Sequence, residues 1–246
     1  ARVTEANLRG SAEAMVKTGL IDHGWQYVNI DDGWQGRRGG PFGAIQPNEK
    51  FGDMEQLCQY IHSLGLKAGI YSTPWTTSYA GFVGGSSDDP QGAWQAPANR
   101  RDGWRCGEYL FETNDARQWA AWGFDYCKYD WSVDSVELAR RMADALAACD
   151  RDIVLELSNS VPLAEAAEYT RLAQLSRTTG DLVDLWDRSR MDPALRAWAV
   201  GIREVWQQHD AWAPHQLPGH WNHACNLRVG LLGGWRNQPL TPSRLT

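Results

Sequence analysis

Three groups of charged residues in this sequence have the types and spacing to do chemistry. Asp31 and Asp32 stand side by side after Tyr27-Val-Asn-Ile30 and before Gly33-Trp34. Lys128 and Asp130 lie two apart in Phe124-Asp-Tyr-Cys-Lys-Tyr-Asp130-Trp131. Arg177 and Asp181 bracket the run Arg177-Thr-Thr-Gly-Asp181. The stretch 124–131 reads as a short buried strand, because Tyr126 and Tyr129 suit a pleated surface. Residues two apart on a strand share a face, so Lys128 and Asp130 point the same way. A cation and a carboxylate on one face of a buried strand are costly unless paired. They fit a structural ion pair capping the strand, or a ligand site at the strand's C-terminal end, where parallel α/β proteins bind. Arg177 and Asp181 by themselves fit a plain surface pair equally well. Asp31 and Asp32, side by side at a strand end with Trp34 next, favour a site over solvated turn carboxylates.

The elements that must position these groups follow in order. Thr4 to Gly19 reads as a helix with Thr4 as its N-cap and Leu8, Ala12, Met15 and Val16 on one face. Residues 25–34 form a strand ending in the two carboxylates, followed by a loop through Gly36, Gly39, Gly40 and Pro41. Phe51 to Leu64 is an amphipathic helix stopped by Gly65, and 66–72 is the next strand. Residues 73–111 are a long irregular insertion rich in Gly, Pro, Ser, Asp and Trp, the kind of loop that carries function. The spacing expects Trp75, Trp94 or Trp104 at the rim of the site. A helix at 114–122, the strand ending at Asp130, a helix at 133–149, a strand at 153–157, a helix at 162–172 and a short strand at 175–178 come next. Residues 192–210 read as largely helical and 219–222 as a last strand. Glu156 faces away from Leu155 and Leu157, which makes it a supporting partner for Asp130 or Lys128.

Six strands alternate with helices and no hairpin signal interrupts them, which means a parallel sheet with right-handed crossovers. No glycine-rich turn follows the first strand, and Asp31-Asp32 would repel a pyrophosphate, so a dinucleotide fold is disfavoured. Polar residues just past several strand ends, Asn159 among them, favour a (β/α)8 barrel with its mouth on that side.

Bulk composition excludes several classes. The chain has 246 residues and a net charge of −6, which argues against nucleic acid or an anionic membrane as partner. No apolar run is long enough to span a bilayer. Five scattered cysteines without a CxxC pair argue against a zinc site and a dense disulfide framework, and His220 with His223 lacks a suitably spaced third ligand. His62 reads as a helix-surface residue. The 14 tryptophans are the outlier in composition: several fill the core, and an excess of flat indole faces also suits the apolar faces of sugars.

With these residues in hand, the chain resembles glycoside hydrolase family 27, the α-galactosidase and α-N-acetylgalactosaminidase family. The resemblance rests on segments 27–34, 62–72, 122–130 and 177–181, in the family's order, and more weakly on Pro-Gly-His-Trp-Asn at 218–222. It implies a (β/α)8 barrel, a small-molecule carbohydrate substrate and no cofactor, with secretion or a periplasmic location favoured. It implies Asp130 as the nucleophile and Asp181 as the general acid/base. Asp31 and Asp32 would hold sugar hydroxyls, Lys128 another hydroxyl and Arg177 the region of O2, with Trp34 and Tyr71 lining the pocket. Retention through a covalent intermediate implies the two catalytic carboxyls face each other about 5–5.5 Å apart.

The sequence also departs from the family. It begins at the helix after the family's first strand and stops short of the eighth, so its six strands match strands two to seven. The expectation is a single partial barrel domain over 1–246 with no C-terminal β-sandwich, part of a longer protein, with strands 27–30 and 220–222 open on one side. A family Asp-Pro-Asp-Met is replaced by His223-Ala224-Cys225-Asn226, so a pocket carboxylate becomes Cys225. Asn159 stands where many α-galactosidases read O2 with Glu. The alternatives to an α-galactosidase are therefore β-L-arabinopyranosidase, α-N-acetylgalactosaminidase, or a sugar-binding remnant without turnover.

Overall fold

The computed structural model describes residues 3–132 and 135–225. Its contacts fall into two compact units, Ala1–Ser158 and Asn159–Thr246.

In the first unit, helix α1 (Glu5–Lys17) starts at Thr4, whose hydroxyl accepts from the Asn7 N–H. Strand β1 is Tyr27–Asn29, and strands β2 (Gln35–Gly39) and β3 (Ala44–Pro47) pair antiparallel. Helix α2 (Met54–Ser63) is opened by the Asp53 carboxylate and buries Met54, Leu57, Cys58 and Ile61. Each such side chain contributes roughly 1.5–3 kcal/mol by leaving water. Strand β4 is Lys67–Ser72. The insertion holds a two-residue pair, β5 (Ser86–Ser87) with β6 (Tyr109–Leu110). Helix α3 (Glu112–Trp122) ends at Gly123 in the left-handed conformation. Strand β7 (Tyr126–Asp130), helix α4 (Val136–Ala147, capped by Ser135) and strand β8 (Val154–Ser158) complete the unit.

Strands β1, β4, β7 and β8 form a parallel sheet in that order. One face is apolar: Val28, Ile30, Ala68, Ile70, Cys127, Tyr129, Leu155 and Leu157 are all buried. The other carries Tyr27, Asn29, Tyr126, Lys128, Asp130 and Glu156, so the alternation of the strands separates core from polar interior. Gly69 is needed there, because a Cβ would lie 1.9 Å from the Asn29 side-chain oxygen.

The second unit contains α5 (Ala166–Leu172), β9 (Leu175–Arg177), β10 (Asp181–Leu182), α6 (Pro193–Arg196), β11 (Ala199–Val200), α7 (Ile202–Trp212) and β12 (Trp221–His223). β12 runs parallel to β9, and β10 parallel to β11. Val183, Met191 and Ala199 make a small core, with Leu185 and Leu195 packed against it.

The expected parallel βα order is present, and two readings need correction. The loop expected after Trp34 is the β2–β3 hairpin, so the chain is not free of hairpins. Its polar strand gave no apolar alternation because Arg38 is buried as an ion pair rather than as a hydrophobe. The helix expected over 192–210 is broken: Ala199–Val200 extends to pair with β10, and Gly201 then restarts helix α7. Val133, the expected start of α4, lies outside the described residues. Among the described residues, β1 is paired with β4 alone and β12 with β9 alone.

Candidate active site

In the first unit the register of the sheet assembles the site. Tyr71 on β4 is level with Lys128 on β7, and Lys128 with Glu156 on β8. Asp130 comes next along β7, level with Ser158. The polar groups therefore occupy one rung of the sheet and the rung above it, at the strands' C-terminal ends. The Lys128 ammonium lies 3.1 Å from Oδ2 and 3.3 Å from Oδ1 of Asp31, across 97 residues of sequence. Lys128 thus reaches a carboxylate at another strand's end. The Tyr126 hydroxyl, one rung lower, donates to Glu156 Oε2 at 3.0 Å, and both residues are buried.

Tyr71 is fully buried beside Asp130. Burial, then the charges of Asp130, Asp32 and Asp31, raise its pKa well above the ordinary phenol value, so it stays a neutral hydroxyl. Trp34 is also fully buried, and its indole N–H donates to the Tyr71 carbonyl at 2.9 Å. Trp34 thus stands behind the site and holds Tyr71, rather than presenting a face to solvent.

Asp31 and Asp32 follow β1 and turn to different partners. Asp31 is largely exposed and turns to Lys128. Asp32 turns to the insertion: its Oδ2 accepts from the Ala80 N–H at 2.7 Å, its Oδ1 from Gln35 Nε2 at 3.2 Å, and Ser78 also bonds it. Burial raises the Asp32 pKa, the three hydrogen bonds oppose that, and the Asp31 charge adds to it. Gln35 and Ser78 were not anticipated; a lone uncharged polar residue carries no signal of such a role. The insertion therefore meets the C-terminal side of the sheet. Trp75 is buried, and Trp94 and Trp104 donate their indole N–H groups within the insertion, to Thr77 Oγ1 at 3.2 Å and Ser78 O at 3.3 Å.

His62, expected on the helix surface, contacts Asp125 instead. Its Nε2 is 2.8 Å from Asp125 Oδ2, while Arg151 holds Oδ1 at 2.6 Å. This cluster sits just before β7, at the opposite end from Asp130, and the Ala68 N–H also donates to it.

In the second unit, Arg177 is buried and its guanidinium donates to Asp181 Oδ1 at 2.8 Å and to Thr179 O at 3.2 Å. Gly180, between them, is required by packing, since a Cβ would lie 2.4 Å from Trp198 O. Cys225 accepts from the Leu182 N–H at 3.3 Å, so its sulfur touches the segment just after Asp181. Asn159, Ser160 and Cys225 hold positive φ angles of 74°, 66° and 67°. For non-glycine residues these are strained conformations; Asn159 directly follows β8, and Ser160 and Cys225 lie two residues past β8 and β12. His220 is buried, and its Nδ1 meets Ala173 O at 2.6 Å.

Comparison with known proteins gives the family. The family model described as alpha galactosidase A matches residues 2–245. The chain is 30% identical over 236 residues to an alpha-galactosidase of Oryza sativa subsp. japonica, covering 93% of this chain and 48% of that protein. It is 30% identical to alpha-galactosidase A of Cellvibrio japonicus, covering 93% and 52%. The crystal structure of alpha-galactosidase I from Mortierella vinacea superimposes with a TM-score of 0.74 at 27% identity, over 93% of this chain and 56% of that one. The chain spans about half the length of the curated relatives it matches. The fold is accordingly of the (β/α)8-barrel type with six of its parallel strands among the described residues, and the chain belongs to glycoside hydrolase family 27, the α-galactosidase family.

Proposed function

We propose that this chain carries the catalytic residues of a retaining glycoside hydrolase that removes terminal α-linked galactose. The observation that supports it most is the Asp31–Lys128 bridge beside Asp130 at the end of β7. In the first step an Asp130 oxygen attacks the anomeric carbon. The bond from that carbon to the leaving oxygen breaks, and Asp181 gives that oxygen its proton. In the second step water attacks the same carbon, Asp181 takes the water's proton, and Asp130 departs as carboxylate. Arg177 orients Asp181 for both steps. Asp31 and Lys128 present an acceptor and a donor to the sugar's hydroxyls, and Asp32 a second acceptor.

The test is a panel of nitrophenyl glycosides. The α-galactoside is expected to be cleaved fastest, with α-galactose as the first-formed product by NMR. Asp130→Gly is expected to lose turnover by at least about a thousandfold and to form β-galactosyl azide when azide is supplied. Preference for the β-L-arabinopyranoside or the α-N-acetylgalactosaminide would replace the galactose assignment, and sugar binding without any turnover would replace the catalytic one.

A further inference from the structure

The polar face of the first unit's sheet buries a carboxylate that the two reaction steps do not use. Glu156 on β8 is 2% exposed, and the Tyr126 hydroxyl on β7 donates to its Oε2 at 3.0 Å. Tyr126 is buried in turn, with its ring centroid 5.4 Å from that of Tyr27 on β1. Gly69 stands level with Tyr126 on β4, so β4 puts no side chain beside the phenol on that rung. Burial, and then the Glu156 charge, raise the Tyr126 pKa far above the ordinary phenol value, so the hydroxyl stays protonated and keeps donating. Glu156 is also level with Lys128 on the neighbouring strand. Side chains of residues paired in this way leave the sheet on the same side, from backbones about 4.8 Å apart. The two carboxylates nearest Lys128 in the sheet therefore differ. Asp31 has a side chain 60% exposed, where water and sugar hydroxyls compete for it. Glu156 is inside and tethered, where charges are screened less.

We propose that Glu156, tethered by Tyr126, is a positioning residue for Lys128, holding the ammonium in place and charged while the sugar draws Asp31 away from it. This rests on the galactoside reading above and adds to it a residue that acts through Lys128 rather than on the sugar. Lys128 and Asp31 are bonded to each other, so a sugar that uses both must take over part of that contact. A lysine ammonium is a point charge on a flexible four-carbon stem, and its position is set by what it pairs with. Stripped of Asp31 and of water, it would be a costly buried charge without a fixed carboxylate nearby. Glu156 supplies that carboxylate from the neighbouring strand, and the Tyr126 hydroxyl fixes where it stands.

The test is calorimetric titration of galactose into the chain and its variants from about pH 7 to about pH 10. Glu156→Gln keeps an oxygen for the Tyr126 hydroxyl and removes the charge. It is expected to weaken galactose about tenfold at pH 7. It is also expected to move the alkaline loss of affinity about one pH unit lower, because an ammonium without that carboxylate gives up its proton more readily. The other groups facing Lys128 are Asp31 after β1, Tyr71 on β4, whose ring centroid is 5.4 Å from the ammonium, and Tyr126 and Asp130 on β7, and the variant alters none of them. Tyr126→Phe keeps the carboxylate and unties it, and is expected to weaken galactose about threefold. Unchanged affinity in Glu156→Gln overturns the positioning role. Weaker binding with the alkaline limb unmoved makes Glu156 a structural support of the pocket, which also overturns it. If Glu156→Gln does not fold, Tyr126→Phe decides: unchanged binding there overturns the role. Failure of the unaltered chain to bind galactose overturns the galactoside reading and the positioning role with it.

Discussion

Asp32 shows how one residue can be held at a cost to the fold. Burial raises its pKa, so its ionisation is penalised in the folded chain but not in the unfolded one. A raised folded pKa contributes stability only below the unfolded value, and that contribution is lost as pH rises through the folded pKa. At neutral pH the Asp32 charge therefore destabilises the fold. Asp32→Asn, which keeps an acceptor for the Ala80 N–H, is expected to raise the melting temperature at pH 7, with the gain shrinking as the pH is lowered toward 4. On the proposed function, the same variant should bind galactose about ten- to a hundredfold more weakly, the worth of a charge-assisted hydrogen bond. A melting curve unchanged at pH 7 would show that the charge carries no such cost. Asp125 runs the other way: burial would raise its pKa, but the bonds from His62, Ala68 and Arg151 outweigh that and lower it, so its contribution is lost on acidification.

At the scale of elements, a buried ion pair ties the β2–β3 hairpin to helix α3. Arg38 Nη1 and Nη2 donate to the two Asp115 oxygens at 2.7 and 2.8 Å, and both side chains are almost wholly buried. Asp115 also accepts from the Ile45 N–H at 3.0 Å, and Arg38 lies 4.3 Å over the Phe111 ring. Helix α3 thus anchors both strands of the hairpin and the end of the insertion. Asp115→Ala leaves a guanidinium buried without its partner and is expected to cost about 3–5 kcal/mol in a denaturant titration. The pair Arg38→Met with Asp115→Leu should recover most of that loss, since it removes both charges from the interior. A single variant losing under about 1 kcal/mol would mean that water enters the site and screens the cation.

Across the molecule, protection should follow strand pairing. β7 is hydrogen-bonded on both sides, to β4 and β8, whereas β1 uses one side among the described residues. Amide exchange followed by mass spectrometry is expected to be slowest over 126–130 and distinctly faster over 27–29. Equal protection in the two segments would show that β1 has a second partner. The same asymmetry bears on the site, because Asp31 follows the less protected strand and Lys128 and Asp130 lie on the most protected one. On the proposed function, in which galactose bridges Asp31 and Lys128, adding galactose should slow exchange in β1 more than in β7.

Much of this was legible in the sequence because it is local. The two-residue alternation in 124–130 was enough to put Lys128 and Asp130 on one face, and Thr4, Gly19 and Gly123 marked helix ends where the structure has them. Family motifs in their order were enough to identify the fold. What the sequence alone left open was partnership at a distance. Lys128 is level with Tyr71 and reaches Asp31 only because three strands share one register. Asp32 finds Ala80 because a long insertion folds back on the sheet, and Arg38 is buried because α3 supplies Asp115. Periodicity states which side of its own element a residue faces. Which residue it meets there depends on the register between strands and on loop closure, and both are set only when the chain packs.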